Sequence, residues 1–258
     1  MSELIANYHT HTTRCNHATG TEAEYIRSAM DSGIRILGFS DHTPYFFDGD
    51  YYSHFRMRRE QLPEYCETVR RLQKEYAGQI QLHLGVECEY YPKYFADVLS
   101  LLRDNQVEYM ILGQHFLGNE FDGPYSGVHS DREEDFRQYV RQSMDAMNTG
   151  LFTYFAHPDL AHFHVSDRIY LDNMRQICRE AKSCGMPVEI NLLGYRENKW
   201  YPNPLLYEAA ALEDCPVILG CDAHAPEVFA DKETEEFARK MIRTYGLKLL
   251  DTIELRKI

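Results

Sequence analysis

Residues 7–17, with the sequence NYHTHTTRCNH, bring three imidazoles together in one short segment, and the whole chain has 12 histidines. If this segment is extended, His9 and His11 project from the same face, because side chains along a strand alternate with a period of two. Two neutral imidazoles on one face can chelate a single metal ion. His17 follows a few residues later, so the segment indicates a metal site.

Residues of ligand type also follow short apolar runs elsewhere in the chain. Six separate runs end in histidine, aspartate or glutamate, and each has the length and composition of a buried strand. One such histidine alone is more often a packed or solvated residue than a ligand, but the repetition predicts a shared metal centre. In chain order the residues are His9, His11, Asp41, His42, Glu87, His115, His157, Asp222 and His224.

The apolar runs alternate with amphipathic segments of helical period. Thr21 and Glu24 form a capping-box pattern that opens the first helix. Helices are predicted at 21–33, 58–77, 132–148, 167–184, 204–213 and 227–245. Strands are predicted at 4–8, 35–40, 79–87, 108–113, 152–156, 187–191 and 216–221, with residues 247–255 as a candidate last strand.

Strands that alternate with helices predict a parallel sheet, because parallel neighbours need crossover connections. Seven or eight such units with no visible linker favour one closed α/β barrel over two domains, so we predict a single domain over residues 1–258. In a barrel of this kind the carboxyl ends of all strands meet at one rim, where the chemistry is carried out. The candidate ligands are therefore expected to converge there.

The types of side chain in the candidate site limit which metal elements can bind there. Imidazole combined with carboxylate suits zinc, manganese or iron. Seven scattered cysteines without a CxxC pair argue against a thiolate site and favour a reduced, cytoplasmic protein. Cys15 and Cys221 lie beside candidate ligands and are interpreted as small buried residues. We assign no ligand role to the remaining histidines, which are His54, His83, His129, His162 and His164.

Composition excludes several classes of function. The net charge of −13 argues against a nucleic-acid partner, because neutralisation of phosphates drives most of that binding. No apolar run is long enough to span a bilayer, and the segment MSELIANYH lacks the basic and apolar regions of a signal peptide. We therefore expect no membrane partner, and we expect a small phosphorylated substrate only where bound divalent cations reverse the sign of the charge locally. The oligomeric state is not predicted.

The motifs HTHTTRCNH, SDH, GVE, QH, AHPD and GCDAH resemble the successive motifs of the polymerase-and-histidinol-phosphatase (PHP) superfamily over residues 9–224. The segments EINLLGYR and YPNP further resemble its histidinol-phosphate phosphatase branch. The resemblance implies a distorted (β/α)7 TIM-like barrel with the metal site at the carboxyl-terminal rim. It also implies three divalent metal ions of zinc, manganese or iron.

The resemblance further implies three ligand sets, two of which share Glu87. They are His9, His11, Glu87 and Asp222 for the first ion, Glu87, His115 and His157 for the second, and His17, His42 and His224 for the third. The implied reaction is hydrolysis of L-histidinol phosphate to L-histidinol and phosphate, in histidine biosynthesis. The predicted nucleophile is a hydroxide that bridges metal ions beside Glu87, Asp222 and His11.

Three further residues are predicted around this centre. Arg196 is expected to bind the substrate phosphate and Arg14 is a second candidate, because a guanidinium fork matches phosphate oxygens. The alternatives are a surface salt bridge for Arg196 and packing of the alkyl stem against the rim for Arg14. Asp41 is expected to orient a ligand by hydrogen bonding. Arg56, Arg58 and Arg59 are interpreted as solvated charges, and no general acid is identified.

The sequence leaves two alternative functions and the roles of two loops undecided. One alternative is a PHP-type nuclease or a nucleotide or sugar phosphoesterase, and the other is a non-catalytic metal-binding module. The aromatic loop at 43–56 is either a lid that offers Asp48 or Asp50 to a substrate ammonium or a loop packed on itself. The loop at 119–134 has the same two interpretations.

Overall fold

Eight parallel strands form one sheet in which the strand order follows the sequence. Residues 4–258 are described in a computed structural model; residues 1–3, which begin the segment without a signal-peptide pattern, lie outside them. The strands are β1 (Ala6–Asn7), β2 (Ile36–His42), β3 (Gln81–Cys88), β4 (Tyr109–Leu112), β5 (Phe152–Phe155), β6 (Val188–Asn191), β7 (Val217–Gly220) and β8 (Leu249–Leu250).

The sheet curls until the extensions of β1 and β7 meet at the carboxyl-terminal rim. Thr10 and Ala223 form an isolated parallel bridge. His11 N donates to Ala223 O (2.9 Å), and Ala223 N donates to His9 O (3.1 Å). Seven strands therefore close at the rim, while the short β8 pairs with β7 at residues 217 and 218. This arrangement confirms the predicted α/β, TIM-like barrel.

Eight α-helices accompany the strands in the described part of the chain. They are α1 (Glu22–Asp31), α2 (Leu62–Glu75), α3 (Phe95–Asp104), α4 (Glu133–Asn148), α5 (Asp167–Ser183), α6 (Leu192–Arg196), α7 (Pro204–Glu213) and α8 (Lys232–Tyr245). Among these residues no helix combines the length and apolarity needed to cross a membrane.

The predicted helix starts and ends are confirmed at some places and wrong at others. The Thr21–Glu24 capping box of α1 is present, with Thr21 N donating to Glu24 Oε2 at 2.7 Å. Helices α3 and α6 were not predicted. The predicted helix at 227–245 is divided into a 3-10 turn, Pro226–Ala230, and α8, because Asp231 caps α8 by accepting from Thr234 N.

The barrel interior below the rim is filled mainly by aromatic side chains. Tyr8, Tyr109 and Tyr154 are buried there with Ile111 and Ile218. The Tyr109 hydroxyl donates to Tyr8 O (2.8 Å), which satisfies the polar end of a ring in an apolar environment. This packed floor leaves the polar residues at the strand ends to face the rim. The prediction of one domain over residues 1–258 stays a prediction.

Candidate metal centre

Four buried donor atoms face one another at the rim. His9 Nε2 lies 3.4 Å from Asp222 Oδ1 and 3.6 Å from Glu87 Oε2, and His11 Nε2 lies 3.2 and 3.6 Å from the same two oxygens. None of these four atoms has a hydrogen-bond partner in the described part of the chain. Ligands bound to one zinc ion at about 2.1 Å are roughly 3.4 Å apart. The four residues therefore fit a divalent ion.

Glu87 also presents its other oxygen to a second pair of imidazoles. Glu87 Oε1 lies 2.8 Å from His157 Nε2 and 3.4 Å from His115 Nε2. One carboxylate thus faces two donor groups with its two separate oxygens. This arrangement has the form of a bridging ligand between neighbouring ions.

The third predicted set is brought together more loosely. His17 Nε2 lies 2.9 Å from His224 Nε2, whereas His42 Nδ1 is turned toward Glu87 Oε2 at 3.0 Å. Cys15 also belongs to a potential donor group with His17 and His224. However, burial and the nearby Asp41 raise the pKa of the Cys15 thiol, and a protonated thiol is a poor ligand.

The ionisation states suit metal ligation. Burial raises the pKa of Glu87 and of Asp222, but the surrounding imidazoles outweigh burial and hold both pKa values well below their usual range. Burial lowers the pKa of His42 well below its ordinary value and, with the neighbouring His11, lowers that of His224 to about 3. These shifts favour charged Glu87 and Asp222 and neutral His42 and His224, which are the forms that bind metals.

His9 and His11 behave differently from these two imidazoles. Burial lowers the pKa of each, but Asp222 and other carboxylates reverse the effect and raise the pKa of His11 to about 9 and that of His9 well above its usual value. Without an ion, these two imidazoles carry the positive charge that balances Glu87 and Asp222. Protons and metal ions therefore compete for the same nitrogen atoms.

Glu189 supports this centre from below and was missed by the sequence analysis. Its Oε1 accepts from His9 Nδ1 (2.8 Å), and its Oε2 accepts from His157 N and Asn191 Nδ2 (both 3.0 Å). Asn191 also donates to Asp222 Oδ2 (3.0 Å). The available signal was VEIN, in which polar residues at period two interrupt an apolar strand. Such contacts fix the orientation of metal ligands.

Asp41 lies beneath residues 9–17, the first ligand loop, and it contacts Thr12 of that loop and the backbone of His42 rather than the His42 ring. Its carboxylate accepts from Thr12 N (3.2 Å), from the Thr12 hydroxyl and from His42 N (2.8 Å). Its Oδ1 lies 3.5 Å from His11 Nδ1. Asp41 therefore holds the loop that carries His11, and its predicted role as an orienting residue stays a proposal.

A cavity of about 540 Å³ opens above the donor atoms. Its floor contains metal-ligand candidates, and its walls contain aromatic side chains together with Glu197 and Lys199. The lining residues are His17, His42, Phe55, Glu87, His115, Phe116, Tyr125, His157, Leu160, Leu193, Glu197, Lys199, Trp200, Tyr201, Asp222 and His224. The cavity is large enough for a small molecule.

Comparison with known proteins assigns this chain to a family. The sequence model of the PHP domain matches residues 7–192. The chain is 33% identical over 234 residues to a probable histidinol-phosphatase of Deinococcus radiodurans, a match that covers 86% of this chain and 87% of the relative. The chain belongs to the PHP domain family.

Two further proteins resemble this PHP chain. It is 26% identical to the histidinol-phosphatase of Bacillus subtilis, over 84% of this chain and 92% of the relative. The crystal structure of histidinol phosphate phosphatase from Lactococcus lactis, complexed with zinc, L-histidinol and phosphate, superposes with a TM-score of 0.76 at 20% identity. That superposition covers 98% of this chain and 100% of the other, and it supports the fold.

The matched PHP segment ends before two of the candidate ligands. Asp222 and His224 lie beyond residue 192. They reach the centre because the bridge between Thr10 and Ala223 places the end of β7 beside the first ligand loop. The structure thus brings all nine predicted ligands to one rim, and their metal-binding roles remain a proposal.

The two arginines predicted for phosphate binding do not line the cavity of this PHP protein. Arg196 donates from Nη2 to Cys221 O at 2.9 Å. Arg14 donates from Nε and Nη2 to Glu64, at 2.9 Å each, and from Nη1 to Glu22. Carboxylates of α1 and α2 bind Arg14 and a backbone carbonyl binds Arg196, so the predicted phosphate contacts of these two residues stay predictions.

Arg56 is buried at the rim of the PHP barrel, contrary to its interpretation as a solvated charge. It is 1% exposed and contacts both Glu89 and Glu120 through its guanidinium, with Arg56 Nη2–Glu89 Oε1 at 2.8 Å. Glu89 Oε1 also accepts from His115 Nδ1 (2.8 Å). Arg56 therefore connects a metal-ligand candidate with the loops at 43–56 and 119–134.

Each rim loop has a buried charged residue, Arg56 in the first and Glu120 in the second, and each contributes one aromatic ring to the cavity. Phe55 comes from the first loop and Tyr125 from the second. Asp48 pairs with Lys93 outside the cavity. The geometry therefore combines the two interpretations of the loop at 43–56, while its suggested use of Asp48 for a substrate ammonium has no support.

We predict that Glu189→Gln weakens metal retention and phosphatase activity by roughly 10- to 100-fold, because one oxygen that accepts hydrogen bonds becomes an NH2 group and the charge opposite His9 is lost. Metal content after dialysis against a chelator and the turnover of metal-loaded protein measure the effect. Glu75→Gln, at an exposed helix position, is the control. Parent-like metal retention in Glu189→Gln would contradict this role.

We predict that Arg56→Met lowers the free energy of unfolding by about 3–5 kcal/mol, because Glu89 and Glu120 would remain buried without their cation. Denaturant titration of metal-loaded protein measures this change. Arg58→Met removes an exposed guanidinium that stacks on Tyr52 and should cost about 0.5 kcal/mol or less. Equal stabilities of the two variants would rule out the buried ion cluster as a stabilising element.

Proposed function

We propose that this PHP protein is a metal-dependent phosphatase that hydrolyses L-histidinol phosphate to L-histidinol and phosphate in histidine biosynthesis. The observation that carries the proposal is the set of orphaned donor atoms around Glu87, directly below an aromatic cavity. The names of the relatives from D. radiodurans and B. subtilis support the substrate. A cytoplasmic location, predicted from the unpaired cysteines, is part of the same proposal.

We infer three divalent ions, held by the three predicted ligand sets. Zinc is supported by its presence in the L. lactis structure, while the same donors also suit manganese and iron. When bound, such ions supply positive charge for phosphoryl oxygens and acidify coordinated water. Their charge would exceed that of the two ligand carboxylates, which favours a phosphate dianion in an otherwise acidic protein.

The residues around the predicted nucleophile position restrict its geometry. Glu87 Oε2, Asp222 Oδ1 and His11 Nε2 converge from three different strand ends at separations of 3.2 and 3.6 Å from His11. Glu189 and Asn191 hold His9 and Asp222 in place through charge-assisted hydrogen bonds. Little rearrangement is then needed during the reaction, and this preorganisation is typically a large part of catalysis.

The wall of the cavity offers contacts for the rest of the substrate. Histidinol phosphate carries a phosphate, an ammonium group and an imidazole ring. Lys199 is the single lysine or arginine among the described lining residues, and its Nζ lies 3.1 Å from Glu197 Oε2. We propose that Lys199 contacts the phosphate and Glu197 the ammonium, with the imidazole stacked on Trp200 or Tyr201.

We predict that metal-loaded protein prefers L-histidinol phosphate over p-nitrophenyl phosphate by roughly 100-fold in kcat/KM, because one charged hydrogen bond and one ring contact each contribute about 1–2 kcal/mol. Steady-state assays with both esters and a short oligonucleotide test this. Equal rates with both esters would remove the substrate assignment, and faster cleavage of the oligonucleotide would favour a nuclease. Metal-replete but inert protein would favour a non-catalytic module.

We predict different effects for the two polar wall residues. Lys199→Met should lower kcat/KM for both phosphate esters by roughly tenfold, because a partly exposed cation is lost from the phosphate. Glu197→Gln should lower it for histidinol phosphate alone, because p-nitrophenyl phosphate has no ammonium. Lys182→Met removes a surface ion pair with Asp214 and serves as the control. A uniform effect of all three substitutions would contradict the assignment.

A further inference from the structure

Four side chains of ligand type lie together outside the metal centre. They come from two short sequences, HSD at 129–131 and HFH at 162–164, and the second repeats the HxH spacing of the first ligand loop. Ser130 and Phe163 form a parallel bridge, with Ser130 N donating to His162 O and His164 N donating to Ser130 O. Because side chains alternate along extended backbone, the residues that flank this bridge share one face.

The distances on this face resemble those around a metal ion. His129 Nε2 lies 2.8 Å from Asp131 Oδ1, and His164 Nδ1 lies 3.5 Å from the same oxygen. The ring centroids of His129 and His164 are 4.9 Å apart. The two distances to Asp131 Oδ1 lie on either side of the roughly 3.3 Å expected between ligand atoms that are each about 2.0 Å from one zinc ion.

We propose that His129, Asp131 and His164 form a peripheral binding site for a divalent transition-metal ion. Two imidazoles and one carboxylate are a donor set for zinc, nickel or cobalt, and the solvent-exposed position leaves room for water as the remaining ligand. None of the three residues lines the substrate cavity. The site is therefore additional to the proposed catalytic centre and does not depend on the substrate assignment.

An ion pair alone accounts poorly for this arrangement. His129, Asp131 and His164 are each at least half exposed, and exposed ion pairs contribute about 0–1 kcal/mol. A carboxylate with two imidazole nitrogens within 3.5 Å gains more from a shared dication than from these exposed ion pairs. A bound ion would also fasten the loop after β4 to the loop after β5, and these loops carry Tyr125 and Leu160 into the cavity wall.

His162 connects the peripheral site to an intrinsic reporter. Its ring stacks on Trp200 with centroids 4.2 Å apart and an angle of 8° between the planes. The ring centroid of His129 lies 5.4 Å from that of His162. Trp200 is the single tryptophan of the chain, so its fluorescence reports on a quenching ion bound at this site.

The experiment uses the full chain with its catalytic centre saturated with Zn²⁺ and excess metal removed. Ni²⁺, whose unfilled d shell quenches indole fluorescence at short range, is then titrated, and the bound metals are counted by mass spectrometry. We expect the parent to take up about one equivalent of Ni²⁺ with quenching of Trp200. We expect the double variant His129→Ala/His164→Ala to lose both responses and to keep the parent kcat and KM.

Two further variants make the result decisive. Asp131→Asn retains the size of the side chain and should weaken Ni²⁺ binding at least tenfold. This variant tests the site even if the double variant fails to fold. His83→Ala removes an imidazole that pairs with Glu108 near the start of β3 and should behave as the parent does. Equal Ni²⁺ uptake and equal quenching in the parent, the double variant and Asp131→Asn would overturn the proposal.

Discussion

The burial of Glu87 is the constraint on which the rest of this structure depends. A carboxylate that is 1% exposed is unstable unless positive charge or hydrogen-bond donors surround it. Here the neighbours are imidazoles from four other strand ends, and within residues 4–258 one oxygen of Glu87 and three facing donor atoms have no hydrogen-bond partner. Protonation of His9 and His11 balances the charge in part. A divalent ion bound between them would satisfy all four atoms at once.

Glycines near two strand ends provide the space that the buried carboxylates around this centre occupy. Two carboxylates project across neighbouring strand ends, and glycine is the residue that leaves room for each. A Cβ at Gly113 would lie 2.0 Å from Glu87 Oε1, and a Cβ at Gly220 would lie 1.7 Å from Glu189 Oε1. The GQH and GCD sequences therefore combine a candidate ligand with space for a neighbouring carboxylate, which is Glu87 in the first case and the supporting Glu189 in the second. In each sequence the glycine lies two residues before the candidate ligand, His115 or Asp222.

The sequence predicted which polar residues converge at the rim better than it predicted the groups that hydrogen-bond to them. Ligands such as Glu87 and His157 directly follow apolar strands, and the carboxyl ends of parallel strands necessarily meet at one rim. Arg56 and Glu189 were missed because their partners are distant in sequence and only the folded chain shows that they are buried. The side-chain directions of Arg14 and Arg196 could not be predicted for a related reason, because a position near the rim does not determine the direction of a long side chain.

The distribution of cations around the cavity indicates how an acidic protein can hold a phosphate. Arg14, Arg56 and Arg196 are all engaged by carboxylates or by a backbone carbonyl. Among the described lining residues this leaves Lys199 as the single lysine or arginine, and Glu197 lies within 3.1 Å of it. Side chains alone therefore provide little net attraction for a dianion. We infer that most of the affinity for phosphate comes from bound metal ions, so that substrate binding and metal occupancy are linked through the same rim.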